Sequence, residues 1–153
     1  MGGMTTFKSQ LRHDLTAAIK QRDELRSATL RMTLAAITTE EVAGKSAREL
    51  SDEEVRKVIA REAKKRREAA EAFDKGGRPE QAARERAEGQ VLAEYLPAQL
   101  TDEELDALIA AVLAEIGGTP NMGAVMKVVN PRVAGRAEGG RVAAAVRKAL
   151  AAG

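Results

Sequence analysis

The chain has 153 residues with a formal net charge of +2, which is enough length for one domain or for a domain with a small appendage. It contains no cysteine, which excludes disulfides, thiolate nucleophiles and thiolate metal sites. With two Phe, one Tyr and no Trp, it lacks the aromatic platforms on which single-stranded nucleic acid stacks.

The first half of the chain predicts three helices. Ser51 and Glu54 have the spacing of a capping box, which opens the third helix. Gly44 interrupts the chain between the second and third helices. The apolar stripes are Phe7, Leu11, Leu15 and Ile19 in the first helix, Leu30, Leu34 and Ile37 in the second, and Val55, Val58, Ile59 and Phe73 in the third.

Glycine and proline mark the ends of the next two helices. Gly76 and Gly77 end the third helix, and Pro79 is well placed as the first residue of a fourth, which Pro97 stops. A second capping box, Thr101 to Glu104, opens a fifth helix that ends at Gly117-Gly118. The fifth helix carries Leu105, Leu108, Ile109, Val112 and Leu113.

Two short helical patterns complete the chain, with Pro131 and the segment 135–141 lying between them. No segment alternates as a half-buried strand does, so we predict an all-α protein. We place a helical hairpin or bundle at residues 4–96 and a small three-helix domain at 97–153. The two apolar stripes are Met122, Val125, Met126 and Val129, then Val142, Val146 and Leu150.

The last third of the chain is strongly polarised in charge. Residues 97–120 contain five acidic side chains and no base, whereas residues 121–153 contain six basic side chains and one acid, Glu138. Such a separation predicts a partner that binds in one orientation.

The segment from Gly135 to Arg141 is a candidate phosphate-binding loop. Glycines can expose backbone N–H groups, a helix from about Gly140 would direct its positive end there, and Arg136 and Arg141 can donate two hydrogen bonds each to a phosphate. The alternative is an ordinary turn with solvated arginines. The complete candidate set is Lys127, Arg132, Gly135, Arg136, Gly139, Gly140 and Arg141.

A second basic face is predicted on the third helix. It consists of Arg56, Lys57, Lys64 and Arg67 and could attract a polyanion. The alternative is a solvated helix face whose bases pair with nearby acids, Glu68 and Glu71 among them.

No catalytic constellation is visible. His13 is the only histidine and falls off the apolar stripe, so we expect it at the surface. It has no partner for a Ser-His-Asp triad or a histidine metal site, and glutamine hydrolysis by the usual route needs a cysteine. We therefore expect no independent catalytic activity, no cofactor and no metal.

The stretch from Met122 to Val142, MGAVMKVVNPRVAGRAEGGRV, resembles the C-terminal signature of the YqeY family. The resemblance extends from about Met4 onward. That family's C-terminal region is similar to the tail of GatB, the subunit of tRNA-dependent amidotransferase that holds transfer RNA. The resemblance thus implies a small helical protein that binds RNA without amide chemistry. Further segments that resemble the family's sequence are Tyr95–Leu105, Arg31–Ile37, Lys65–Ala69 and Ala72–Arg78.

Three functions follow as hypotheses. The leading one is a non-catalytic adaptor that binds transfer RNA or another structured RNA. The second is a protein-protein module that docks on an amidotransferase or an aminoacyl-tRNA synthetase. The third is an accessory role in a carbon-nitrogen ligase with glutamine as amido donor. No apolar run has the length of a membrane span and no secretory signal is visible, so we expect a cytoplasmic protein without a membrane partner.

Overall fold

The computed structural model describes residues 6–152, which form seven helices and no strand. The all-α prediction is confirmed. The chain divides into two compact units, an N-terminal unit up to Leu96 and a C-terminal unit from Pro97. The helices are α1 (Phe7–Lys20), α2 (Glu24–Glu41), α3 (Asp52–Lys75), α4 (Pro79–Ala93), α5 (Asp102–Ile116), α6 (Met122–Val133) and α7 (Gly139–Ala152).

The N-terminal unit packs α1 to α4 around an aliphatic core. Among the polar contacts that join distant segments within it, Lys8 donates to Glu41 at 2.7 Å, and the Tyr95 hydroxyl donates to Asp14 at 2.5 Å. The α3–α4 hairpin extends from this core, and Ala70 is buried within it. The fully buried residues of the core include Leu11, Leu30, Ile37, Val55, Ile59 and Leu92.

The predicted helix ends are confirmed where capping chemistry defines them. The Glu54 N–H donates to the Ser51 hydroxyl at 3.2 Å and the Ser51 N–H donates to the Glu54 carboxylate at 3.1 Å, which completes the capping box. α4 begins at Pro79, and Gly77 after α3 has φ +72°, a left-handed conformation that glycine adopts without strain.

Two details of the N-terminal unit differ from the prediction. Ile19 is 47% exposed, because residues spaced by four drift about 40° around a helix at each step, and Ala18 is buried instead. α4 ends at Ala93 and does not reach Pro97. The residues that follow form tighter hydrogen bonds between residues three apart, such as the one from the Leu96 N–H to the Ala93 carbonyl at 3.1 Å. Pro97 explains this change, because a proline disfavours the helical conformation of the residue before it.

The C-terminal unit packs α5, α6 and α7 around a second core. The stripes predicted for α6 and α7 are confirmed at their centres, where the valines are fully or almost fully buried. One boundary is wrong: α6 continues through Pro131 to Val133. Pro131 and Lys127 are both exposed, so water can take the place of the one helical hydrogen bond that proline removes. The core includes Ile109, Val112, Val125, Val129, Val142 and Val146.

Candidate nucleic-acid interface

The predicted phosphate loop begins where α6 ends in a left-handed turn. Ala134 has φ +50° and Gly135 has φ +78°, and the Ala134 N–H donates to the Asn130 carbonyl at 3.1 Å. Ala137 then enters the core of the C-terminal unit. Gly139 and Gly140 are the first residues of α7 and not part of the loop, so the connection between the helices is shorter than expected.

Arg136 caps the end of α6 with its own side chain. Its Nε donates to the Val133 carbonyl and its Nη2 to the Arg132 carbonyl, both at 3.2 Å. The last carbonyls of a helix have no partner within the helix, and a cationic side chain is well suited to them. The Arg136 carbonyl in turn accepts the backbone N–H of Leu100 at 2.7 Å.

Arg141 links the first turn of α7 to the start of α5. Its Nη2 donates to the Leu100 carbonyl and to Asp102 Oδ1, both at 2.9 Å. Both backbone polar groups of Leu100 are therefore bonded to the segment 136–141. Local sequence patterns give no sign of these contacts, because their partners lie about forty residues away along the chain.

Arg132 also has a carboxylate partner on α5. Its guanidinium bonds to both carboxylate oxygens of Glu115, one of them at 3.0 Å. These hydrogen bonds lower the pKa of Glu115 and raise the pKa of Arg132. A third acid of α5, Glu104, has its pKa lowered first by the backbone N–H of Thr101, then by the Thr101 hydroxyl, and further by the charge of Arg136.

Lys127 is placed differently from the three arginines. It is exposed on α6 and makes no hydrogen bond or ion pair with residues 6–152, and the same holds for Arg147 and Lys148 on α7. The structure thus brings Arg136 and Arg141 together around Leu100, whereas Lys127 has no contact that joins it to them.

The chain matches the family model for YqeY-like proteins over residues 8–150. It belongs to the YqeY family. The match covers both compact units and includes residues from each of the seven helices. Among curated proteins, none matches this sequence.

In this YqeY-family chain the second predicted basic face lies along α3. Arg56 is half-buried, with its Cζ 5.6 Å from the centroid of the Phe7 ring, and Lys64 lies 3.9 Å from Glu68. Lys57 and Arg67 are exposed. Lys57 and Lys64 are seven residues apart and so share one face of the helix. Polyanion binding at this face stays a prediction.

The remaining polar groups of this YqeY-family chain include its single histidine. His13 is exposed on α1, as expected. No three potential metal ligands of the His, Cys, Asp and Glu types lie together in residues 6–152. None of the helices in this range is both long and apolar enough to cross a membrane.

Two cavities can be described, one in each unit. The cavity in the N-terminal unit has a volume of about 430 Å³, and its lining residues include Phe7, Asp52, Glu94 and Tyr95. The cavity in the C-terminal unit has a volume of about 270 Å³ and has both polar and apolar groups in its lining. None of the predicted phosphate-binding residues lines either cavity. The second lining consists of Leu113, Gly118, Thr119, Pro120, Ala149 and Leu150.

Proposed function

We propose that this YqeY-family protein is a non-catalytic RNA-binding adaptor. In this proposal the C-terminal unit contacts the phosphates of a structured RNA, with transfer RNA as the first ligand to test, and the N-terminal unit provides the scaffold. Such an adaptor would act in the cytoplasm. It needs neither cofactor nor metal, because contacts to phosphates are made by protein side chains and backbone N–H groups.

The proposal depends on the exposure of the basic side chains of α6 and α7. Residues 121–153 hold six bases, and three of them, Lys127, Arg147 and Lys148, are exposed without a partner in residues 6–152. Exposed lysines and arginines release counterions when they meet a phosphate backbone, which favours RNA over neutral ligands. The resemblance of this region to the GatB tail supports the same partner.

Arg136 and Arg141 contribute in a second way. Each guanidinium is only partly exposed and already bonded within the unit, so its main effect is to hold the segment 136–141 in place. A guanidinium has five N–H donors, and those left over can still reach a phosphate. In this proposal the loop adds two positioned guanidinium groups to the exposed lysines of α6 and α7.

The direct test is a fluorescence-anisotropy titration of bulk transfer RNA with the full chain across a salt series. Lys127→Gln/Lys148→Gln removes two exposed charges without removing an internal contact. We expect binding to weaken about tenfold at moderate salt, and the slope of log affinity against log salt to fall by about 2.

The matched control is Lys20→Gln/Lys75→Gln, which removes from the N-terminal unit two exposed lysines without a partner in residues 6–152. We expect it to bind within about twofold of the natural chain, since it leaves the proposed contacts intact. Lys57→Gln/Lys64→Gln tests the face on α3 in the same assay. Equal losses in all three variants would contradict a site on α6 and α7, and no binding even at low salt would contradict RNA binding altogether.

A second candidate function is a protein-protein module that docks on an amidotransferase or a synthetase. The observation in its favour is the cavity of the C-terminal unit, whose lining includes Leu113, Pro120 and Leu150, together with Ile116, which is 37% exposed on α5. Direct titration with a purified amidotransferase or synthetase, in nuclease-treated samples, separates this function from RNA binding. A role in glutamine-dependent ligation would instead require glutaminase activity of the purified chain or its complex.

A further inference from the structure

Asp102 holds a position on Arg141 that a phosphate oxygen would take. Its Oδ1 accepts a hydrogen bond from Arg141 Nη2 at 2.9 Å. Carboxylates and phosphates bind a guanidinium through the same N–H donors and with similar geometry. A phosphate approaching Arg141 therefore meets a group of like charge that already uses one of these donors.

The two acceptors on Arg141 differ in how firmly they are held. The Leu100 carbonyl belongs to a residue that is 7% exposed in the core, and its backbone is fixed by the bond to Arg136. The Asp102 side chain is 85% exposed and the Arg141 side chain is 34% exposed. Exposed ion pairs contribute little to stability, so the bond to Asp102 is the one that a ligand can replace.

We propose that Asp102 is an internal competitor for phosphate at Arg141 and thereby limits the affinity of this surface for RNA. The inference rests on the proposed RNA-binding function. The same helix pairs Glu115 with Arg132 and brings Glu104 near Arg136. Each of the three arginines between residues 132 and 141 thus faces a carboxylate of α5. Asp102 alone of these acids combines high exposure with a contact at the start of α7.

The test compares Asp102→Asn with Glu103→Gln in the full chain. Both substitutions remove one exposed negative charge from the first turn of α5, but only Asp102 contacts Arg141. Bulk transfer RNA is titrated by fluorescence anisotropy across a salt series. We expect Asp102→Asn to bind about three- to fivefold tighter than the natural chain, with a salt slope steeper by about 1, because one more phosphate contact forms. Glu103→Gln should change affinity by less than about twofold and leave the slope unaltered.

A double-substitution cycle makes the assignment specific. In an Arg141→Gln background, Asp102→Asn should give no gain beyond that of Glu103→Gln, because the contested guanidinium is gone. Should Arg141→Gln fail to fold, Arg141→Lys removes the forked donor and serves in the same cycle. Circular dichroism establishes that each variant retains its helices.

The possible failures are distinguishable. If the natural chain binds RNA and both single substitutions raise affinity equally, Asp102 acts only as a general charge and the competition is overturned while the RNA-binding function stands. A gain that persists without Arg141 overturns it as well. If no form binds RNA at low salt, the proposed function fails and this inference fails with it.

Discussion

The Arg141 guanidinium donates to the Leu100 carbonyl at 2.9 Å across forty intervening residues, and the Leu100 N–H donates to the Arg136 carbonyl at 2.7 Å. The residue before the capping box of α5 is thereby bonded to both ends of the segment that leads into α7. The arginines that resemble a binding motif are therefore also structural parts of the C-terminal unit.

Arg141→Gln should destabilise the C-terminal unit, because it leaves the Leu100 carbonyl without its side-chain donor. We expect a loss of about 1.5 kcal/mol, the low end of the range for a hydrogen bond to a charged group, because the Arg141 side chain is partly exposed. Urea unfolding followed by circular dichroism measures it. The matched substitution Arg147→Gln removes an exposed arginine with no such bond and should be nearly neutral. Equal losses would show that charge, and not the bond to Leu100, is responsible.

Ala134→Gly should stabilise the protein, although glycine is a poor residue in most helical segments. Ala134 is left-handed, with φ +50°, a conformation that costs an L-residue about 1 kcal/mol and glycine little. Allowing for the entropy of glycine, we expect a gain of roughly 0.5 kcal/mol. The same substitution at exposed Ala144, within α7, should cost about 1 kcal/mol. A loss at both positions, measured by thermal unfolding, would contradict the left-handed end of α6.

Acid should reduce the stabilisation that the Glu54 carboxylate gives to the N-terminus of α3. Hydrogen bonds from the Arg48 guanidinium and from the Ser51 N–H lower the pKa of Glu54 from 4.5 to about 2. Because the folded pKa is the lower one, the stabilisation is complete above pH 4.5 and is lost as the pH falls toward 2. Glu54→Gln should thus lower the midpoint of thermal unfolding at neutral pH. In acid, the difference in midpoint between this variant and the natural chain should become smaller. Glu53→Gln, one residue earlier, is the control and should leave the acid dependence unchanged.

The Tyr95 hydroxyl should lose its proton at a higher pH than an ordinary tyrosine does. Burial, the hydrogen bond to Asp14 and the charge of that carboxylate raise the pKa of Tyr95 above its ordinary value of 10.0. Since the folded pKa is the higher one, the stability that this bond contributes is fully present below pH 10.0 and is lost as the pH rises from 10.0 through the folded pKa. Tyrosinate absorbance follows this one side chain because the chain has a single tyrosine. Asp14→Asn should shift the titration toward lower pH, and an unchanged titration would contradict the contact.

Local chemistry explains which parts of the fold could be predicted. The two capping boxes, Pro79 and the glycines after α3 and α5 fix helix ends through contacts between near neighbours, and all are where the sequence placed them. Two predictions were wrong. Pro131 does not end α6, because water can replace the hydrogen bond lost at this exposed position, and Ile19 is exposed because residues spaced by four drift around the helix.

The candidate site could be predicted in its residues but not in its contacts. The sequence marks Arg132, Arg136 and Arg141 as a cationic cluster. The partners of Arg132 and Arg141 lie on or beside α5, whereas the Arg136 side chain bonds to carbonyls at the end of α6. Pairing between distant segments depends on how the helices pack, and no spacing in the sequence encodes it. Because Lys127 is exposed and makes no contact within residues 6–152, its substitution tests binding more directly than substitution of these arginines does.

The α3–α4 hairpin implies a gradient of motion along the N-terminal unit. Its base contributes Val58, Ile59 and Leu92 to the core, whereas buried alanines such as Ala70 and Ala82 fill the contact farther out. Alanine buries little apolar area, so opening should cost least free energy at the turn 76–78 and most at the base. Backbone amides would then exchange with deuterium progressively more slowly from the turn toward the base. The hairpin would unfold locally from its turn while the core of the N-terminal unit stays folded.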